Sequence, residues 1–203
     1  MLTTILIVIF VFVLLFSFFY KFYFLRDPVR KIPVGDNILS PADGKIILIR
    51  PYNSNNLKVD KRFFGAVKTF TRDVSKEGYI VSIFMNVFDV HINRAPITGK
   101  VKYVKHTKGK FLNAEIEAST FENENVQILI QKDDFKVKMI QIAGLIARRI
   151  VPFVKKNESV IRGQRIGLIK LGSQVTLILP KTVNIKVKVG QKVYAGETVI
   201  AEK

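Results

Sequence analysis

Nineteen consecutive residues, LTTILIVIFVFVLLFSFFY from Leu2 to Tyr20, carry no charge. As an α-helix at 1.5 Å per residue the run spans roughly 28 Å, close to the hydrocarbon thickness of a bilayer. A secretory signal peptide would need a basic stretch before the apolar run, a shorter core and small residues at its end. This segment has none of the three. No Lys or Arg precedes it, and it ends in bulky aromatics. We read residues 1–25 as an uncleaved transmembrane anchor. Lys21, Arg26, Arg30 and Lys31 follow it, so the positive-inside rule places the rest of the chain on the cytoplasmic side of the cell membrane. The aromatics from Phe18 to Phe24 suit the interfacial layer.

The remainder must then satisfy a membrane setting. Lys and Arg number 33 against 16 Asp and Glu, an excess that favours a polyanionic partner. With an anchor present, that partner is an anionic membrane surface and not a nucleic acid. The chain has no cysteine and only His91 and His106. Disulfides, thiolate nucleophiles and Cys-based metal sites are therefore excluded, and no multi-histidine metal site is expected.

A basic, proline-punctuated linker (26–36, with RDPVRKIP) leads into a body at 37–203 that reads as mainly β (α+β), sandwich- or barrel-like. Val/Ile-rich runs such as KIILIR, YIVSIFMNVF, GKVKYVKH, NVQILIQ, FKVKMIQIAG, QRIGLIKL, QVTLILP and VNIKVKV alternate with Gly, Pro, Asn and Asp. Weak helical periodicity is confined to 142–151 and 60–64. The closing VNIKVKVGQKVYAGETVIAEK has the strand–turn–strand form of the tail half of biotinyl and lipoyl domains. Lys138, the nearest candidate for a modified lysine, lies within an apolar run with no turn around it. The likeness is therefore read as one of fold.

Three short stretches carry chemistry. LSPADGKI (39–46) sets Asp43 in a tight turn; FDVHINRAP (88–96) holds His91 beside Asp89 and Arg94; KLGSQ (170–174) puts Ser173 directly after Gly172. Taken singly, the acid reads as a turn cap, the histidine as structural and the Gly-Ser as a loop. Together they supply an acid, a base and a hydroxyl. A hydrolase is one use of such a set, but the G-x-S-x-G elbow is missing. A serine after glycine permits another: attack on the carbonyl of its own preceding residue, where glycine offers no side chain to block the approach. A non-catalytic, membrane-anchored β-sandwich adaptor or a carrier is the alternative.

In order, SPADGKI, FDVHINRAP, LGS and the closing V-G-x-x-V-x-A-G-E-T resemble the short form of the phosphatidylserine decarboxylase family. FLRDPVRKIP and KGKFLNAEIEASTFENENV (108–126) resemble it as well. The resemblance implies a proenzyme that cuts itself between Gly172 and Ser173. A β chain (1–172) and an α chain (173–203) would remain associated, and Ser173 would become a covalent pyruvoyl cofactor. It further implies a Schiff base between that group and phosphatidylserine, loss of CO2 and release of phosphatidylethanolamine. Asp43 matches the acid that assists cleavage. His91 matches the first of two histidines in longer members; the second, which carries the charge-relay role there, is Arg94 here. Gln174 in place of Thr or Ser, and FENENV without the arginine of the family's NER, are further departures. Members of the family often self-associate. The lipid tails, diacyl or archaeal ether, stay open.

Overall fold

The computed structural model describes residues 1–53, 71–109, 123–144, 149–170 and 173–203. An α-helix, α1 (Leu2–Phe18), runs on into a π-helical turn over Phe19–Phe24. Together they form an apolar helix of 23 residues, roughly 34 Å long and able by length and composition to cross a bilayer. None of α1 is buried, as expected where lipid and not protein surrounds it. In the last turns aromatic rings stack pairwise, Phe16 on Tyr20, Phe19 on Tyr23 and Tyr20 on Phe24. Only Phe24 enters the body, where it is fully buried.

The described residues of the body include fourteen strands: β1 (Ile38–Leu39), β2 (Gly44–Asn53), β3 (Glu77–Met85), β4 (Ile92–Arg94), β5 (Gly99–Thr107), β6 (Asn125–Lys132), β7 (Phe135–Ala143), β8 (Arg149–Pro152), β9 (Ser159–Val160), β10 (Arg165–Lys170), β11 (Ser173–Pro180), β12 (Asn184–Ile185), β13 (Lys192–Val193) and β14 (Val199–Glu202). Eight of them form one sheet in the order β13-β2-β3-β11-β7-β6-β5-β9, and two three-stranded sheets, β4-β10-β8 and β1-β14-β12, complete the fold.

The large sheet curls. Register shifts interrupt β2 and β5, the local kinks by which a sheet bends. Val193 and Val160, from its two edge strands, share one apolar cluster with Ile150, Ile166 and Ile169 of the small sheet and with Ile200 of β14. The main core therefore fills the concave side. On β11, Val175, Leu177 and Leu179 point into it, while Ile178 packs with Ile80, Ile140 and Ile142 on the other side. Burial on both faces lets β11 carry consecutive apolar residues over Leu177–Leu179 instead of alternating. Each such fully buried aliphatic side chain contributes about 2 kcal/mol.

Several expectations change here. The helical reading of 142–151 fails where it can be checked: Ile142 and Ala143 end β7, and Arg149–Val151 lie in β8. Pairing with β11 and β10 outweighs a weak helical period. The stretch 60–64 lies outside the described residues. VNIKVKV forms only the two-residue β12. The apolar runs on either side of Gly172-Ser173 are strands, but they do not pair with each other: β10 belongs to the small sheet and β11 to the large one.

The linker is strapped down along its length. Asp27 pairs with Arg94 and Arg165, Arg30 with Asp43 and Glu197, and Arg162 donates to the Pro33 and Asn37 carbonyls.

Candidate active site

Ser173 opens the central strand. It is fully buried, registered between Met85 of β3 and Ala143 of β7. By alternation with Val175 its side chain points to the concave core. The hydroxyl donates to Met85 Sδ at 3.5 Å, a weak acceptor, so the contact leaves the oxygen lone pairs available. Gly172 and Leu171 lie outside the described residues. The strands on either side of them, β10 and β11, belong to different sheets.

His91 immediately precedes β4. Ile92 is registered with Leu168 of β10, and the Ile169 N–H donates to the His91 carbonyl at 3.4 Å. In this antiparallel pair the Asp89–His91 end of β4 lies beside the end of β10 that leads into Ser173. The imidazole is fully buried, with Nδ1 2.9 Å from the Asp89 carbonyl and one ring face under Phe24, centroids 4.2 Å apart. A carbonyl only accepts, so Nδ1 carries the proton and Nε2 the lone pair. Nε2 has no partner among the described residues. Burial pushes the ring down to about 4, so at neutral pH it is an uncharged base. Asp89 orients it through its main chain; its carboxylate instead accepts from the Asn86 N–H and faces Lys192.

Around Met85 and Ala143, the strand neighbours of Ser173, lies a polar cluster that sequence reasoning missed. Asn93 donates to Met85 Sδ at 3.8 Å, Gln141 donates to Asn93 Oδ1 at 2.8 Å, and Asn123 donates to the Ala143 carbonyl at 2.7 Å. Gln141 Oε1, also buried, likewise has no partner among the described residues. Gly167 lets β10 lie on this cluster, since a Cβ there would come within 2.5 Å of Gln141 Nε2. The only signal in the sequence is an amide set inside an apolar run, as in KMIQIAG and HINRAP.

Asp43 is placed elsewhere. It precedes Gly44, whose φ of +152° and whose approach to the Phe84 carbonyl admit no side chain. β3 separates β2 from β11, so Asp43 lies about two strand spacings, ~10 Å, from Ser173. Its oxygens accept from Arg30 at 2.9 Å and from the Ala195 N–H at 2.8 Å. Among the described residues no hydrogen bond joins Ser173, His91 and Asp43. Arg94 is buried and spans Asp27 at 2.6 Å and the Gly163 carbonyl at 2.9 Å. It ties down the linker.

Lys138 is buried on the opposite face of the sheet from Ser173, ion-paired with Asp73, and burial lowers its pKa. No modifying enzyme could reach it there as a carrier lysine. His106 is exposed and faces Glu124. A cavity of about 350 Å³ lined by Tyr52, Glu77 and Lys181 lies at the far end of β2 and β3, away from Ser173. The described residues include no cluster of groups fit for a metal ion.

A fully buried serine at the head of β11, a buried neutral histidine whose carbonyl accepts from Ile169 near the end of β10, and a set of buried amides suit covalent chemistry with the chain's own groups. The sequence profile described as phosphatidylserine decarboxylase matches residues 15–201. The chain is 48% identical over 181 residues to a phosphatidylserine decarboxylase proenzyme of Novosphingobium aromaticivorans, covering 88% of this chain and 70% of that one. A namesake from Chlorobium phaeobacteroides is 43% identical over 182 residues, 89% and 78%. A Methanocaldococcus jannaschii protein, provisionally named an archaetidylserine decarboxylase proenzyme, is 46% identical over 182 residues, 89% and 88%. The chain belongs to the phosphatidylserine decarboxylase family and is an enzyme, a carboxy-lyase, so the adaptor and carrier alternatives fall away.

Proposed function

We propose that this chain is a membrane-anchored proenzyme that cuts itself at Gly172-Ser173 and then decarboxylates phosphatidylserine to phosphatidylethanolamine. In the cleavage, the Ser173 hydroxyl attacks the Gly172 carbonyl while His91 Nε2 takes its proton. The peptide C–N bond breaks and an ester forms in its place. Elimination frees the Gly172 carboxylate and leaves dehydroalanine, which water converts, with loss of ammonia, into a pyruvoyl group at the head of the α chain, 173–203. Asp43 enters as the acid of this step through the family likeness.

The pyruvoyl group would supply a carbonyl that engages the serine amine of the lipid and draws off the electron pair left as CO2 departs. The residues at hand suit it. Asn93 and Gln141 offer amides around Ser173, and His91 holds a site for the proton that returns to the product carbon. The observations that carry the reading are the full burial of Ser173 at the head of a central strand and a buried His91 bonded through its carbonyl to Ile169, near the end of the strand that precedes Ser173. A break before Ser173 leaves β11 paired on both sides, which supports a lasting heterodimer of β chain 1–172 and α chain 173–203. The biotinyl/lipoyl-like character of the C-terminal part enters only as scaffold for that α chain.

The helix to Phe24 anchors the enzyme in the cell membrane, and Lys21, Arg26, Arg30 and Lys31 favour the cytoplasmic face. A basic surface draws the anionic substrate more than its zwitterionic product. The proposal concerns the phosphoserine head group, which diacyl and ether lipids share. Intact mass of the purified protein beside a Ser173→Ala variant tests it. The expected result is two chains divided after Gly172, the smaller with a blocked N-terminus, and a single chain in the variant. One uncut chain in both would overturn self-processing. Native mass of the same preparation reads out the homo-oligomer expected from the family.

A further inference from the structure

The loop between β3 and β4, Asn86–Val90, runs from the strand neighbour of Ser173 to the residue before His91. Its tip is Phe88, 62% exposed, a costly position for a phenyl ring in water. The exposure is built in: the Phe88 N–H donates to Asn86 Oδ1 at 2.8 Å, and Asn86 and Asp89 bond each other across the turn at 3.0 Å. The ring meets the helix edge-on, its centroid 6.3 Å from that of Phe19 and 6.5 Å from that of Tyr23. Arg26, the first cation of the linker, donates to the Phe88 carbonyl and lies over the Tyr23 ring at 4.0 Å. Lys192 stands beside the same loop, 3.6 Å from Asp89.

Phe88 thus continues the aromatic belt of the anchor from a different part of the chain. We infer that the Asn86–Val90 loop is a second membrane contact, with Phe88 seated in the interfacial layer beside the anchor. Arg26 and Lys192 then face lipid phosphates. Aromatic rings favour this layer, and cations near it gain from an anionic surface. Two contacts fix the tilt of the body where a single helix would leave it free to swing. The fixed end is the one that carries Ser173 and His91, which sets the mouth of the site at head-group height. The inference rests on reading Leu2–Phe24 as a membrane anchor.

The chain contains no tryptophan, so a single introduced one reports its own surroundings. Phe88→Trp keeps a ring against Phe19 and Tyr23. Phe12→Trp probes the anchor and Phe135→Trp the opposite end of β7, roughly 26 Å from Ala143. Each full-length protein is reconstituted into phosphatidylcholine–phosphatidylglycerol vesicles with phosphatidylcholine brominated either near the head group or near the chain end. The Phe88→Trp emission is expected to be blue-shifted and quenched chiefly by the shallow bromines. Phe12→Trp should lose emission chiefly to the deep ones, and Phe135→Trp to neither. Quenching of Phe12→Trp with Phe88→Trp as unquenched as Phe135→Trp overturns the loop contact and leaves the anchor standing. No quenching at either position overturns both.

Discussion

Burial under Phe24 holds the His91 imidazole at about 4, with the Asp89 carbonyl and charge pulling upward and Arg26 pushing further down. The folded value lies below the ordinary 6.5, so the neutral ring's contribution to stability is complete above pH ~6.5. It is lost as pH falls from there through about 4, a loss of about 3 kcal/mol. Self-cleavage that uses Nε2 as base should accordingly hold its rate down to pH ~5 and fall near 4; precursor conversion followed on a gel across pH measures this. Phe24→Ala lets water reach the ring and should move the fall toward 6.5, at a stability cost of about 3 kcal/mol. A wild-type fall already at 6.5 would mean that another group limits the step. Asp43 allows a similar separation. As a tie, Arg30→Gln should destabilise by about 3 kcal/mol, since it leaves the buried Asp43 carboxylate without its cation, and Asp43→Asn by less, since Arg30 keeps Glu197; both should slow cleavage. If Asp43 works as an acid, Asp43→Asn alone should abolish cleavage in protein that still folds.

At the scale of elements, what the sequence reveals follows from how local the signal is. The runs KIILIR, NVQILIQ and QVTLILP are strands because β-branched residues fill a pleated surface buried on one or both sides, and each run carries that information within itself. The partition of β10 and β11 into different sheets is settled by partners far away, Ile92 for one and Met85 for the other, and no turn signal encodes it. The same holds at the site. Ser173 and His91 stand out by residue type and context, whereas Asn93 and Gln141 become visible only when β4, β7 and β10 come together. The linker's docking was hidden too, since Arg94 reaches Asp27 across 67 positions. That contact gives the arginine its own test. Arg94→His, which restores the residue of longer family members, should not quicken cleavage. It should lower stability by about 2 kcal/mol, the worth of a charged hydrogen bond, as read by urea denaturation.

Across the whole molecule, a break at Gly172-Ser173 would divide the chain but not the fold. The α chain would supply β11 between β3 and β7, β13 beside β2, and β14 between β1 and β12. Every sheet except β4-β10-β8 would then contain strands from both pieces, and Val175, Leu177, Leu179 and Ile200 would still fill the common core. Separating the chains would require opening the large sheet at its centre, which is the same event as unfolding. Mature protein should therefore run as two bands on a denaturing gel, yet behave as one particle in detergent-solution chromatography. Under rising urea the loss of secondary structure and the release of the α chain should share a single midpoint. The mature form should also unfold at lower urea than Ser173→Ala precursor, because a cut chain gains freedom on unfolding that an intact one lacks, and its stability should fall on dilution. Release of the small chain at a urea concentration where the circular dichroism is unchanged would show that β11 is not what holds the two together.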